Sequence, residues 1–207
     1  MERYLPLLDQ LDDWQARARA DHPGVIPCRP GCSACCRGPF DIQAADALLV
    51  LEAVAALPPA IRQEVRAQAA RQVASMRALA PGWSAPYDIR AIGDEAFDAV
   101  SDALADQPCP CLDDDGRCVI YSSRPLVCRL TGLGMVTESG FTIDNACPIR
   151  TDYPAYARLA PRPFPLEAAE PAEVAANQAA ALALFGDPAE AGFETTIAGA
   201  VAGVPRA

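Results

Sequence analysis

Nine of the 207 residues are cysteines, and eight of them fall into two dense stretches. Cys28, Cys32, Cys35 and Cys36 lie in CRPGCSACC. Cys109, Cys111, Cys118 and Cys128 lie in CPCLDDDGRCVIYSSRPLVCRL, and Cys147 follows in NACPIR. A thiolate is a soft ligand that suits zinc, iron–sulfur clusters or Cu(I) and is unsuited to Mg or Ca. The single histidine, His22, is not close enough in sequence to suggest a mixed site, so an all-thiolate site is the natural reading. Nine is an odd number, so a fully paired disulfide framework cannot close within one chain.

Cys28, Cys32 and Cys35 have C-x3-C-x2-C spacing, with which one tight loop can take three corners of a [4Fe–4S] cubane while a second stretch supplies the fourth thiolate. Radical-SAM enzymes use this spacing, but they need a long α/β barrel, and no run of alternating strands and helices is visible here. Cys36 directly follows Cys35. Neighbouring side chains diverge, so the pair fits two metal ions or a polynuclear cluster better than one mononuclear zinc. Eight thiolates supply two four-coordinate sites, or one cluster and one zinc. Six arginines stand near the cysteines in sequence: Arg29, Arg37, Arg117, Arg124, Arg129 and Arg150. Four thiolates around Zn²⁺ or a [4Fe–4S]²⁺ core leave an excess of two negative charges, which guanidinium groups offset while lowering thiol pKa values. Arg124 and Arg129 flank Cys128 and are the candidates for this compensation.

The elements that position these residues are mostly helices. Residues 3–20 place Leu7, Leu8, Leu11, Trp14 and Ala18 near one helical face. DHPGVIPCRPGC breaks that helix, so the first cysteine stretch lies on an irregular loop. Asp41 is positioned to cap a helix running to about Leu57, with Ile42, Ala45, Leu48, Leu49 and Val54 apolar. Pro58–Pro59 opens another helix to about Leu79, and GDEAFDAVSDALAD reads as a shorter one with acids in its first turn. LDDDGRCVIY reads as a hairpin turning at Asp115–Gly116, with residues 118–121 as the return strand. SSRPLVCR reads as one helical turn from Pro125, and LGMVTESGFTID as a second hairpin around Ser139–Gly140. PRPFPLEAAEP at 161–171 reads as a linker, followed by helices over about 171–185 and 188–200. Trp14 and Trp83 read as core or interface anchors. The expected fold is mainly α: helices around a small irregular cysteine-rich metal core with one or two short β-hairpins. Residues 1–160 would form the cysteine-cluster domain with a helical insertion, and 161–207 a proline-rich linker with a C-terminal helical extension packed on it. The two cysteine stretches should converge, because the loop-closure cost of the roughly seventy residues between them grows only logarithmically with length.

Taken together, CRPGCSACC, CPCLDDDGRCVIYSSRPLVCR and the final CP resemble the YkgJ-like cysteine-cluster family, described as zinc- or iron-chelating and often as containing an iron–sulfur cluster. Cys28, Cys32, Cys35 and Cys36 match its first block and Cys109 its C-P-x-L cysteine. Cys118, with Tyr121, matches C-x-I-Y. Arg124, Pro125, Cys128 and Arg129 match R-P-x-x-C-R, and Cys147 matches the last cysteine. The resemblance covers roughly residues 25–150 and implies those eight cysteines as the metal ligands. Cys111 occupies a variable position of the pattern and reads as a supernumerary thiol, a small buried hydrophobe.

Composition narrows the function further. The net charge is −10, and all seventeen basic residues are arginine. An acidic chain without a basic run is a poor partner for nucleic acid or anionic membranes. The lack of lysine excludes Schiff-base chemistry and a phosphate-loop lysine. DDDG at 113–116 lacks the spacing of a calcium loop and reads as a turn. A C-x-x-C redox role for Cys32–Cys35 needs a thioredoxin-like βαβ context, which is not visible. The first twenty residues carry early acids and no continuous apolar stretch, and no window is long and apolar enough to span a membrane. The expectation is a cytoplasmic protein, where clustered thiols mean metal or redox chemistry more often than disulfides. Two functional classes follow: an iron–sulfur protein, [4Fe–4S] by its spacing, with a redox or metal-dependent role, or a structural zinc protein whose helices form a partner-binding surface.

Overall fold

The structure, a computed structural model, describes residues 4–29 and 31–204. Helix α1 (Tyr4–Asp21) turns Tyr4, Leu7, Leu8, Leu11, Trp14 and Ala18 inward, the stripe its i, i+3, i+4 spacing dictates; residue 3 of the expected helix lies outside the described residues. After the first cysteine stretch come β1 (Asp41–Gln43), α2 (Ala44–Ala56) and α3 (Pro59–Leu79). Pro59 sits at the first position of α3, where its missing N–H has no intrahelical partner to lose. Helix α4 (Asp94–Ala103) carries Asp94 and Glu95 in its first turn. The second cysteine stretch leads into the single turn α5 (Leu126–Leu130), then the hairpin β2 (Met135–Val136) and β3 (Thr142–Ile143). The chain ends with α6 (Pro154–Ala157), β4 (Arg162–Pro163), α7 (Leu166–Phe185), β5 (Glu194–Thr196) and α8 (Ile197–Gly203). The fold is mainly α.

Helices α1, α2, α7 and α8 share the larger core, with Leu8, Leu11, Val50, Ala180 and Ala200 almost fully buried. A smaller core gathers around Trp83, whose ring meets Tyr87 and Phe97 edge-on at 6.2 and 6.1 Å. Trp14 meets Phe164 edge-on at 5.8 Å and donates to the Pro163 carbonyl at 2.9 Å. Both tryptophans are core anchors. Among the described residues, no helix is long and apolar enough to cross a membrane.

Four local expectations change. Asp41 does not cap α2. It begins β1, which pairs antiparallel with β5, Asp41 opposite Thr196, and Gln43 takes the cap position without a side-chain bond. The Ala45 N–H is met instead by the Asn177 side chain on α7 at 2.9 Å. Residues 118–121 are not a return strand: Leu112 and Cys118 form one isolated bridge, and Tyr121–Ser123 is a 3-10 turn. The 161–171 segment is not an open spacer, because β4 adds to β2 in parallel and α7 already starts at Leu166, with Pro171 inside it. The expected 188–200 helix is a 3-10 turn (Pro188–Gly192), then β5, then α8.

Candidate metal centre

The two cysteine stretches meet through their backbones. The Cys109 N–H donates to the Cys36 carbonyl at 2.9 Å, and the Gly38 N–H to the Gln107 carbonyl at 2.7 Å. Beside this seam lies a cavity of about 460 Å³, bordered by all four cysteines of the first stretch and all four of the second. Cys147 is not on its wall. That thiol stands near Cys28, on which its charge acts, and next to Tyr156.

Local structure explains how each stretch presents its thiols. In the first, tight turns close from the Cys32 N–H to the Arg29 carbonyl at 2.9 Å and from the Cys36 N–H to the Ser33 carbonyl at 3.0 Å. Gly132, at φ +108°, lets the chain pass Cys28; a Cβ there would lie 3.4 Å from its sulfur. In the second, the Leu112 N–H returns to the Cys109 carbonyl at 3.1 Å, folding Cys109-Pro110-Cys111 into a turn. The loop beyond closes at Gly116, φ +73°, with Asp113 accepting from the Gly116 loop's returning Arg117 N–H at 2.7 Å. Asp113–Gly116 is therefore a turn, as its residues suggest. Cys128 rides on α5, whose first N–H, at Leu126, donates to both oxygens of the buried Asp46 at 3.1 Å. Asp46 also accepts from the Tyr4 hydroxyl at 2.7 Å, so α1, α2 and α5 are tied at one carboxylate. Its burial pushes it up to about 6.

The arginines divide into groups. Arg29, Arg37, Arg124 and Arg129 border the cavity, as does Arg19 from the last turn of α1. Arg124 lies over the Tyr121 ring at 4.3 Å, pairs with Asp12, and its charge acts on Cys118. Arg19 acts likewise on Cys28. Arg129 is almost fully buried, pairs with the same Asp12, and donates to the carbonyls of Arg124 at 3.0 Å and Ser122 at 2.8 Å. Arg117 pairs with Asp115 at 3.7 Å on the surface, and Arg150 donates to the Asn145 carbonyl at 3.0 Å; neither borders the cavity.

Without a cation, Cys28, Cys35, Cys111, Cys118 and Cys128 hold their protons more tightly than an ordinary thiol. Burial, then the charges of Cys35 and Cys32, pushes Cys28 up to about 11. Burial does the same to Cys118, up to about 11, and raises Cys128 well above the ordinary range. Cys35 is raised first by its hydrogen bond with Cys36. Cys109 alone is lowered, because the Cys111 thiol donates to it. Thiolates that repel one another lose that penalty when they share a cation. Among the described residues, no three His, Cys, Asp or Glu side chains close on one point as a single metal ion requires. The thiols border a space instead, within the range of small-ligand sites of roughly 300–1,000 Å³. Soft donors, mutual repulsion and room beyond one ion fit a thiolate-held metal group.

Sequence spacing found the cysteines of this wall except one. Cys111, read as a spare hydrophobe, is buried but borders the cavity and touches Cys109. Proline at the second position of a turn, which brings residues 109 and 111 together, was the available signal. Arg19 was missed because α1 ends well before Cys28 in sequence. His22 does not border the cavity.

Neither the curated proteins nor the solved structures contain a match to this chain. Residues 27–148 match the model of the CxxCxxCC family, described as a "putative zinc- or iron-chelating domain", from just before Cys28 to just after Cys147. That match spans more than half of the 207 residues and both cysteine stretches, so the chain belongs to the CxxCxxCC family.

Proposed function

We propose that this protein holds iron, as an iron–sulfur cluster, through thiolates drawn from Cys28, Cys32, Cys35, Cys36, Cys109, Cys118, Cys128 and Cys147, in a redox or metal-dependent role. The observation that carries this reading is that two cysteine stretches border one cavity larger than a single ion needs. The bound group supplies a soft cationic centre. The chain's own residues supply the rest: turns at Arg29–Cys32 and Cys109–Leu112 aim the thiols, Asp46 fixes the α5 turn under Cys128, and Arg124 and Arg19 offset thiolate charge. Arg129 acts through Asp12 and the loop carbonyls it holds, positioning Arg124 and Cys128. In the zinc alternative the same thiols tie the irregular segments together and the helices serve a partner.

Purification without oxygen, followed by iron, zinc and acid-labile sulfide analysis, separates the two. Brown protein with iron and sulfide in matched amounts supports the proposal. Colourless protein with stoichiometric zinc and no sulfide overturns it in favour of the structural reading.

A further inference from the structure

The ninth cysteine is the residue that the family pattern leaves over, and its surroundings are not those of a spare hydrophobe. Cys111 is 1% exposed, yet it borders the cavity rather than the apolar core alone. The turn from Cys109 to Leu112 sets its thiol against that of Cys109. The Val119 N–H donates to the Cys111 carbonyl at 2.9 Å, and Leu112 stands opposite Cys118, so the loop also lays Cys111 beside Cys118. The α5 turn brings Cys128 to the same place: every pair among Cys109, Cys111, Cys118 and Cys128 is close enough to interact electrostatically. Cys28 is surrounded differently, by Cys32, Cys35 and Cys147, while Cys35 reaches both sides, since it also interacts with Cys109 and Cys128.

Resting on the metal-thiolate reading above, we propose that Cys111 is a ligand, and that Cys109, Cys111, Cys118 and Cys128 form a four-thiolate centre built wholly from the second stretch. Cys28, Cys32 and Cys147 then form a second group beside it, with Cys35 and Cys36 at the seam. Four thiolates complete the corners of a cubane, and because no three of these side chains close on one point, a polynuclear group fits them where a single ion does not. A turn-closed C-P-C pair plus a hairpin cysteine and a helical-turn cysteine approach from separate directions, as such a group needs. Each thiol releases its proton to solvent as the metal binds, so no oxidant or reductant is required.

The test compares anaerobically purified wild type with Cys111→Ala, Cys118→Ala and the double variant, reading metal and sulfide per chain and far-UV circular dichroism. Cys111→Ala and Cys118→Ala should lose the same share of bound metal, and the double variant no more than either, because one centre is lost once. Cys111→Val separates ligation from packing: it refills the space, and metal should stay lost. Retention of wild-type metal in Cys111→Ala or Cys111→Val, with loss in Cys118→Ala, overturns the assignment and leaves the metal-thiolate reading standing. Wild type without any metal sinks that reading itself. Stepwise chelation of wild type needs no folded variant. Cys111 should become open to alkylation together with Cys118, and alkylation of Cys111 only on global unfolding overturns the proposal.

Discussion

Asp12 receives both Arg124 and Arg129, yet the two arginines do different work. Arg124 is the one whose charge reaches a thiol, Cys118. Arg124→Gln should therefore weaken metal retention or shift a cluster's reduction potential negative with little change in stability, measured by chelator competition and voltammetry. Arg129 is 3% exposed and ties Asp12 to the carbonyls of Ser122 and Arg124. Arg129→Gln should cost on the order of 3 kcal/mol in urea unfolding, the low end for a broken buried pair because Asp12 still reaches water. Exposed Arg66 on α3 is the neutral control, and Arg66→Gln should do neither. Wild-type retention and potential in Arg124→Gln would make Arg124 a structural residue only. Asp46 carries a pH signature. Burial raises it from 3.8 to about 6, against the hydrogen bonds of Tyr4 and Leu126, with Glu173 and Arg129 as the nearby charges. The folded state thus binds its proton more tightly than the unfolded one. The resulting stability is present below about pH 4 and lost as pH rises through about 6. In metal-free protein Asp46→Asn should flatten the fall in stability over that window, followed by thermal unfolding; an unchanged slope would mean another group titrates there.

Helices α1, α3 and α4 were legible in sequence because their signals are local: an apolar stripe, a proline at the first position, acids in the first turn. Asp41 misled because its strand partner is β5, near the other end of the chain, and local pattern carries no trace of a distant ladder. The prolines at 161–171 suggested a spacer, yet Arg162 pairs beside Met135 and Phe164 is buried against Trp14. Tertiary packing overrode composition there. At the site, spacing singled out seven of the cysteines that border the cavity and Cys147, which does not border it, but not that the C-P-C turn faces Cys111 inward. The elements also differ in what holds them. Helices α1, α2, α7 and α8 bury continuous apolar faces, while the cysteine stretches have turns, two isolated bridges and thiols of which only Cys109 and Cys111 are buried. Chelation should therefore speed proteolysis within 22–40 and 106–150 while most helical circular dichroism persists. Unchanged cleavage of 106–150 after metal removal would show that the metal does not hold the fold.

At the scale of the whole molecule, an acidic chain of net charge −10 keeps five arginines around one thiol-bordered cavity, between helices that pack without it. Charge is placed where thiolates would gather it, and the rest of the surface is left acidic. Because Cys28 and Cys118 are pushed up to about 11, loading must displace protons, and metal uptake should strengthen with pH on the order of tenfold per unit for each proton released. Competition with a chelator between pH 6 and about pH 8 reads this slope, and a flat profile would mean that thiolates are not the ligands. The central claim rests on what fills the cavity. Iron, zinc and acid-labile sulfide per chain, measured on protein purified without oxygen, test it most directly. The account predicts brown protein with iron and sulfide in matched amounts, lost together when Cys28, Cys35 or Cys128 is replaced by alanine. Colourless protein without iron and sulfide after anaerobic preparation, whether it holds zinc or no metal, or metal unaffected by those replacements, would contradict it.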